Sequence, residues 1–269
     1  MKFAKNICLL LVALFFFSQL NAGYSQELPY HEGEELTFVV YYDAPLLGKL
    51  NAGKASLELK KVEEKRLGKT VFHAVGVGFS TGSFDFFFKV RDRFESWFDI
   101  ENLRSYFFTR RTNEGGYVAN DDVVFDYAKE KAISRKTEKK IGQRVNDLVS
   151  AFYFARTLDI STIPVGGSFP INFYLDDSLY TSVIIYEGKE IVETRLGKFR
   201  TMKFRPMVAQ GEVFDNPYPM FLWVSDDKNR IPILVKSEII VGSVNGELYR
   251  FKNLKYPLDS KIIKTKTKK

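Results

Sequence analysis

The sequence predicts a mainly antiparallel, all-β fold: a strongly curved sheet forming a barrel or part-barrel, with one amphipathic helix packed on it. Three observations lead there. Apolar and polar residues alternate at period two along most of the chain, short turn signals join successive runs, and one segment alone switches to helical spacing.

The alternation begins with Leu36, Phe38, Val40 and Tyr42 on one side of a first strand. Ala55, Leu57 and Leu59 line the next, with Ser56, Glu58 and Lys60 facing away, and Val71, Val75, Val77 and Phe79 follow. Phe84 to Asp99 reads as one strand, with Phe94, Ser96 and Phe98 on the face of Asp92, and Glu95, Trp97 and Asp99 on the other. Later strands are expected at 169–175, 180–186, 190–196, 199–208, 220–224, 233–241 and 247–254. Leu67-Gly68-Lys69, Glu114-Gly115-Gly116, Glu187-Gly188-Lys189 and Leu196-Gly197-Lys198 separate them, and Asn245-Gly246 gives the strongest hairpin cue. Short connections make neighbours antiparallel.

From Asn146 or Asp147, both good N-caps, Leu148, Ala151, Phe152, Ala155 and Leu158 recur at helical spacing. The helix carries Phe152, Tyr153 and Phe154, an aromatic stripe that the sheet should cover. Gly76 and Gly78 leave a bare strip where a helix or a sharp curve could approach. About a dozen strands are too many for one flat sheet, so curling is expected, with a two-sheet sandwich as the alternative.

The ends of the chain differ from its body. Lys2 and Lys5 precede an apolar run from Ile7 to Phe17, followed by small and polar residues. This is the pattern of a secretory signal, expected over residues 1–25. The single cysteine, Cys8, lies inside that run and is misplaced for lipidation, so the mature chain has no disulfide, no Cys nucleophile and no cysteine metal site. A single β-rich domain is expected over 26–258, and a basic, disordered tail over 259–269. Of 40 Lys and Arg against 33 acids, two fall in the signal, and five lysines lie between Lys261 and Lys269. The body is therefore formally neutral. That argues against nucleic-acid binding and leaves peripheral membrane contact through the Lys-rich tail as the sharper reading of the basic end.

Candidate site residues are few. Asp92 is a lone carboxylate in an apolar row and needs a partner, for which Arg110 or Arg104 is nearest in sequence; a structural Asp92–Arg110 ion pair is the expectation. Asp121-Asp122, Asp176-Asp177 and Asp226-Asp227 read as turn chemistry at strand ends. His31 and His73, with no cysteine, show no metal-ligand spacing, so neither metal nor cofactor is expected, and His73 is placed in the core or lining a pocket. Neither a nucleophile elbow nor a phosphate-binding loop occurs. Aromatic residues make up 15% of the chain, and beyond filling a core they could line a ligand cleft, with Trp97, Tyr106, Tyr153 and Trp223 as the candidates alongside Asp92.

Several local patterns, taken in order, resemble one family. They are Gly33-Glu34-Glu35-Leu36, Ala52-Gly53-Lys54-Ala55, Asp92 after the Phe run, and Asp147-Leu148-Val149-Ser150-Ala151-Phe152-Tyr153 with Arg156. Gly197-Lys198-Phe199-Arg200-Thr201 follows, then Trp223-Val224-Ser225-Asp226-Asp227 with Arg230 and Pro232. Together they resemble the exported bacterial proteins grouped as domain of unknown function 3108, over about residues 29–254. The resemblance implies a secreted or periplasmic, β-rich protein without an assigned reaction, so no catalytic residue carries over. By fold-level analogy it also implies kinship with envelope proteins whose curved sheet and helix form a lipid- or glycan-handling groove. The leading expectation is a soluble periplasmic protein that binds an amphiphilic or glycan ligand, or scaffolds surface-polysaccharide assembly, without catalysis. The alternatives are a glycan-processing hydrolase using carboxylates such as Asp92 and Asp226, and a purely structural partner protein.

Overall fold

A computed structural model describes residues 27–44, 48–60, 65–66, 69–206, 220–239 and 241–263. The signal-like segment, the Leu67-Gly68 turn and the last six residues of the basic tail lie outside them. In chain order the elements are β1 (Glu35–Ala44), β2 (Gly48–Lys60), β3 (Lys65–Arg66), β4 (Lys69–Ser80), α1 (Gly82–Phe87), β5 (Arg91–Asp99), β6 (Ser105–Glu114) and β7 (Tyr117–Asp126). Then come β8 (Lys131–Ile133), β9 (Glu138–Lys140), β10 (Asn146–Asp147), α2 (Leu148–Ala155), β11 (Ser168–Leu175) and β12 (Ser178–Thr194). The last are β13 (Gly197–Pro206), β14 (Met220–Ser225), β15 (Pro232–Glu238), β16 (Ser243–Lys252) and β17 (Lys261–Ile262).

Among the described residues the strands form one curved sheet of 17 strands. Two meanders run outward from a central seam, where β1 pairs with β2 on one side and with β16 on the other, both antiparallel. From β2 the sheet continues through β4 to β9, and from β16 back through β15, β14, β13 and β12 to β11. The outlying strands curl towards each other. Residues 145–147 bridge them: the Ser105 N–H of β6 donates to the Val145 carbonyl at 3.0 Å, and β10 pairs parallel with β11. Phe125 of β7 meets Tyr174 of β11 edge-on at 5.7 Å, and Arg110 of β6 ion-pairs with Asp176 beyond β11. The expected curved, mainly antiparallel sheet is thus observed.

The predicted alternation holds in β2 and β5 but not throughout. Strand β4 turns Phe72 and Ala74 to the main core instead of the Val71, Val75, Val77 and Phe79 row, and register shifts in β1 bury Val39 and Tyr41 where Val40 and Tyr42 were expected. Leu59, Phe72, Ala74, Phe98, Phe108, Val123 and Phe125 fill the main core with Val149 and Tyr153 of α2. A second cluster joins Leu36, Phe199, Ile231, Ile233 and Leu248 under the seam. Gly76 and Gly78 admit no helix. A methyl group on either would make only ordinary contact with Leu57, Phe94 or Asp92, whose side chains occupy the strip.

Four local expectations need correction. The Phe84–Asp99 run is not one strand, because its first part forms α1, and regular strand begins at Arg91. Asn245-Gly246 is no turn; both residues lie inside β16, paired on both sides, and the chain reverses just before, where Gly242 has φ +83°. Local turn chemistry is overridden there by two flanking strands that complete the backbone hydrogen bonds. Glu187-Gly188-Lys189 is a bulge within the 17-residue β12, not a break between two strands. The tight two-residue turn instead falls at Asp176-Asp177, both at positive φ, between Leu175 and Ser178. Asp121-Asp122 lies inside β7, and its two side chains serve opposite faces: Asp121 meets Arg110, and Asp122 meets Arg111 and Arg135.

Candidate functional site

Helix α2 is fastened at both ends by buried polar groups. Asp147 caps it, accepting from the Val149 and Ser150 N–H groups at 2.8 and 2.9 Å, while Ser150 Oγ accepts from the Asp147 N–H. Ser96 and Ser105, reaching across from β5 and β6, donate to its other carboxylate oxygen at 2.5 and 2.7 Å. Complete burial nevertheless pushes the Asp147 pKa up, against those hydrogen bonds. At the far end, Arg156 grips Glu34 through two parallel hydrogen bonds of 2.5 and 2.8 Å and donates to the Asn229 carbonyl. Asn229 in turn donates to the Tyr256 and Pro257 carbonyls, and Asp227 accepts from Ser225 and from the Asn229 and Ser260 N–H groups. The motif residues Glu34, Asp147, Arg156 and Asp227 therefore tie the helix to the sheet and the chain ends.

Among the described residues, one face of α2 is left partly uncovered. Between it and β11–β14 lies an apolar slot of about 90 Å³, walled by Phe152 and Leu158 on the helix side and by Phe169, Ile184, Phe204 and Leu222 on the sheet. The slot is well below the roughly 300–1,000 Å³ of a pocket for a whole drug-sized ligand. It abuts a polar vestibule of about 710 Å³ containing Lys189, Lys228, Asp159, Asp226 and Asp227, and the two share Arg156, Ile160, Met202 and Arg230 as common wall.

Arg230 sits at this junction. Its Nη1 donates to the Arg156 carbonyl at 3.1 Å and to that of Leu158, and among the described residues it makes no ion pair. Burial holds its pKa below the usual arginine value, opposed only by the charge of Asp159. Lys189, by contrast, is paired with Asp226 at 2.9 Å. A second, larger hollow of about 1,200 Å³ lies on the other side of the 157–159 segment, against Tyr30, His31, Arg144 and Phe154.

The aromatic candidates do not converge on one cleft. Trp97 and Tyr106 pack with Val71, away from the main core. His73 stacks on Trp97 with ring centroids 4.2 Å apart and meets Glu95 at 2.7 Å, and Tyr106 donates to Asp99. Tyr153 is wholly buried between Tyr30 and Phe98. Trp223 donates to Glu190 and faces Lys203, while its neighbours Leu222 and Val224 line the slot. At both Tyr153 and Trp223 it is the preceding residue, Phe152 or Leu222, that lines the slot instead.

The Asp92–Arg110 pair does not form. Arg110 is engaged by Asp121 and Asp176, and Asp92 accepts from the Asn113 N–H at 3.2 Å. Its pKa is raised to about 7 by burial first, then by the hydrogen bond and charge of the neighbouring Glu114 carboxylate. Asp92 is absent from the vestibule wall that holds Asp226.

The slot was legible only in part. Arg230 belongs to the motif set, but Ile184, Met202 and Phe204 are ordinary strand residues whose convergence depends on the β12–β13–β14 register. Among the described residues, no group of three His, Asp or Glu side chains could hold a metal ion, and no helix is long and apolar enough to cross a membrane.

A curved antiparallel sheet with a capped helix laid on it defines the class as a β-barrel-like domain. The family profile for DUF3108, described as proteins of unknown function, matches residues 37–249, and the chain belongs to that family. The structure is similar to a β-barrel-like protein of domain of unknown function DUF1849 from Brucella abortus, with a TM-score of 0.54 at 9% identity, covering 83% of this chain and 99% of that one. A candidate lipoprotein from Parabacteroides distasonis (TM-score 0.36, 10% identity, 84% and 97% covered) is a more distant match. So is a candidate exported protein with a YmcC-like fold from Bacteroides fragilis (0.33, 12%, 84% and 98%). No curated protein matches the sequence.

Proposed function

We propose that this is an exported, periplasmic binding protein for an anionic amphiphile, whose apolar end enters the slot beside α2 while its charged group meets Arg230. The observation that carries the reading is the guanidinium of Arg230, half-buried and without an ion pair among the described residues, at the boundary between an apolar slot and a polar vestibule. A guanidinium presents several donors in a fixed fork suited to carboxylate or phosphate, and partial desolvation strengthens that bond. The small slot holds the end of a chain rather than a whole ligand, which leaves most of the molecule to the vestibule. A glycan ligand would want aromatic platforms facing the cleft; Tyr186 and Tyr256 line the vestibule, while Trp97 and Trp223 face elsewhere.

The hydrolase reading has no observation in its favour. Asp226 is paired with Lys189, Asp227 is occupied as a backbone acceptor, and Asp92 does not share their cleft.

Native mass spectrometry of freshly purified protein tests the proposal, together with displacement of a fluorescent fatty acid. Co-purified mass is expected, with probe affinity weakened more than tenfold by Arg230→Gln and by Ile184→Trp, which fills the slot. A clean apo mass without probe binding, or probe binding indifferent to both substitutions, would overturn it.

A further inference from the structure

Helix α1 has the opposite character to α2. Its six residues bury no side chain, and its N-cap, Thr81, makes no side-chain capping bond. Phe86, Phe87 and Phe88 follow one another at 88%, 81% and 45% exposure. The segment turns between the end of β4 and the start of β5, and it is held by polar contacts at its base. Asp85 takes two hydrogen bonds from Arg91, at 2.7 and 3.0 Å, and one from Ser80, and the Lys89 carbonyl accepts from the Gly115 N–H of the β6–β7 turn. The aromatic residues are thus displayed on an anchored projection.

The surroundings extend the same surface. The Phe88 ring lies against Gly115, and the β6–β7 hairpin beside it exposes Tyr117 and Val118. Phe84 packs towards Tyr42, whose strand partner Leu50 is exposed at the start of β2. Lys89 follows the aromatic run and is exposed, Asp85, the acid within α1, is neutralised by Arg91, and Glu114 is exposed at the adjoining hairpin turn. The result is a projecting apolar tip with a lysine, Lys89, at its base.

We propose that this tip inserts into the interface of an anionic lipid bilayer, with Phe86 and Phe87 entering the boundary between headgroups and chains, and Lys89 meeting the headgroups. The projecting shape and the lysine both favour that partner. Aromatic side chains are at home at the membrane–water interface, and an adjacent cation adds attraction to anionic lipid. A protein partner would have to supply a pocket for two neighbouring phenyl rings beside a lysine. The inference stands on α1 and does not need the slot beside α2.

Co-flotation with vesicles of phosphatidylglycerol and phosphatidylethanolamine tests it, using the full mature chain. Wild type should float with these vesicles, at least fivefold less with pure phosphatidylcholine, and less at high salt. Phe86→Ser combined with Phe87→Ser should cut flotation at least fivefold, with an unchanged thermal melt and unchanged fatty-acid probe binding. A Phe86→Trp variant should shift the emission of its added indole to the blue on the anionic vesicles and be quenched by brominated chains. No flotation of wild type, flotation indifferent to the double serine variant, or an unshifted emission from the Phe86→Trp variant would each sink the proposal. So would a dimer seen by sedimentation that the double variant abolishes while vesicles bind neither form. Loss of probe binding with flotation intact would count against the slot alone.

Discussion

Two helices of this protein answer the same problem in opposite ways. The eight residues of α2 carry a complete capping box and a buried tyrosine, and the arginine that ends the helix is locked to a buried glutamate. The six residues of α1 bury nothing, and Phe86, Phe87 and the adjoining Phe88 are turned outward. Isolated helices this short are marginal in water, so each must be held by its surroundings. For α2 those surroundings are the core, and disrupting them should unfold the domain. For α1 they are a few polar contacts at its base, and its apolar face is spared for something other than stability.

The largest expected effect is at the Glu34–Arg156 pair. Both side chains are buried, and removing one strands the charge of the other. Arg156→Met should cost about 3–5 kcal/mol in urea unfolding. Glu34→Gln combined with Arg156→Met should cost at least ~1 kcal/mol less than the sum of the two single changes. Additive costs below about 1 kcal/mol each would mean the pair is dispensable and the contrast between the helices is wrong.

How much of this was legible in the sequence follows from which interactions are local. The α2 N-cap could be read from Asp147 before an apolar periodicity, because a cap and its N–H donors are sequence neighbours. Most strands could be read for the same reason. The partner of Arg110 could not, since Asp121 arrives through a hairpin and Asp176 across the closure of the sheet, 66 residues away. The α1 segment misled because Phe at alternate positions is as compatible with a strand as with a short exposed helix, and periodicity over so few residues does not separate them. The slot stayed hidden because Ile184, Phe204 and Leu222 meet only once three strands are in register.

A middling effect is expected at Asp92, which follows α1 closely and lacks the full satisfaction that Asp147 enjoys. Its folded pKa, raised to about 7, lies above the ~3.9 of an unfolded aspartate. Between those values the folded chain binds more protons than the unfolded one, so stability falls as pH rises from about 4 to 7 and levels off above. A shift of this size corresponds to ~4 kcal/mol by linkage, but Asp92 is only partly buried, and solvent screening reduces the expectation to about 1–2 kcal/mol. Asp92→Asn should flatten the pH profile of urea stability and gain that amount at pH 8. A profile as steep as wild type would show that Asp92 is not the group whose protonation stabilises the folded chain.

The smallest expected effect is the most discriminating for the comparison. If α1 is a displayed surface, replacing Phe86 and Phe87 by serine removes no buried contact, and the unfolding free energy should stay within about 0.5 kcal/mol of wild type. Exposed apolar surface gains nothing from folding, so no hydrophobic contribution is there to lose. A loss of about 2 kcal/mol or more would mean that these rings pack against the body of the protein after all. Under the proposed reading the same double variant leaves stability and slot binding alone and changes only association with a lipid surface, whereas no substitution at Arg156 should be able to separate those properties.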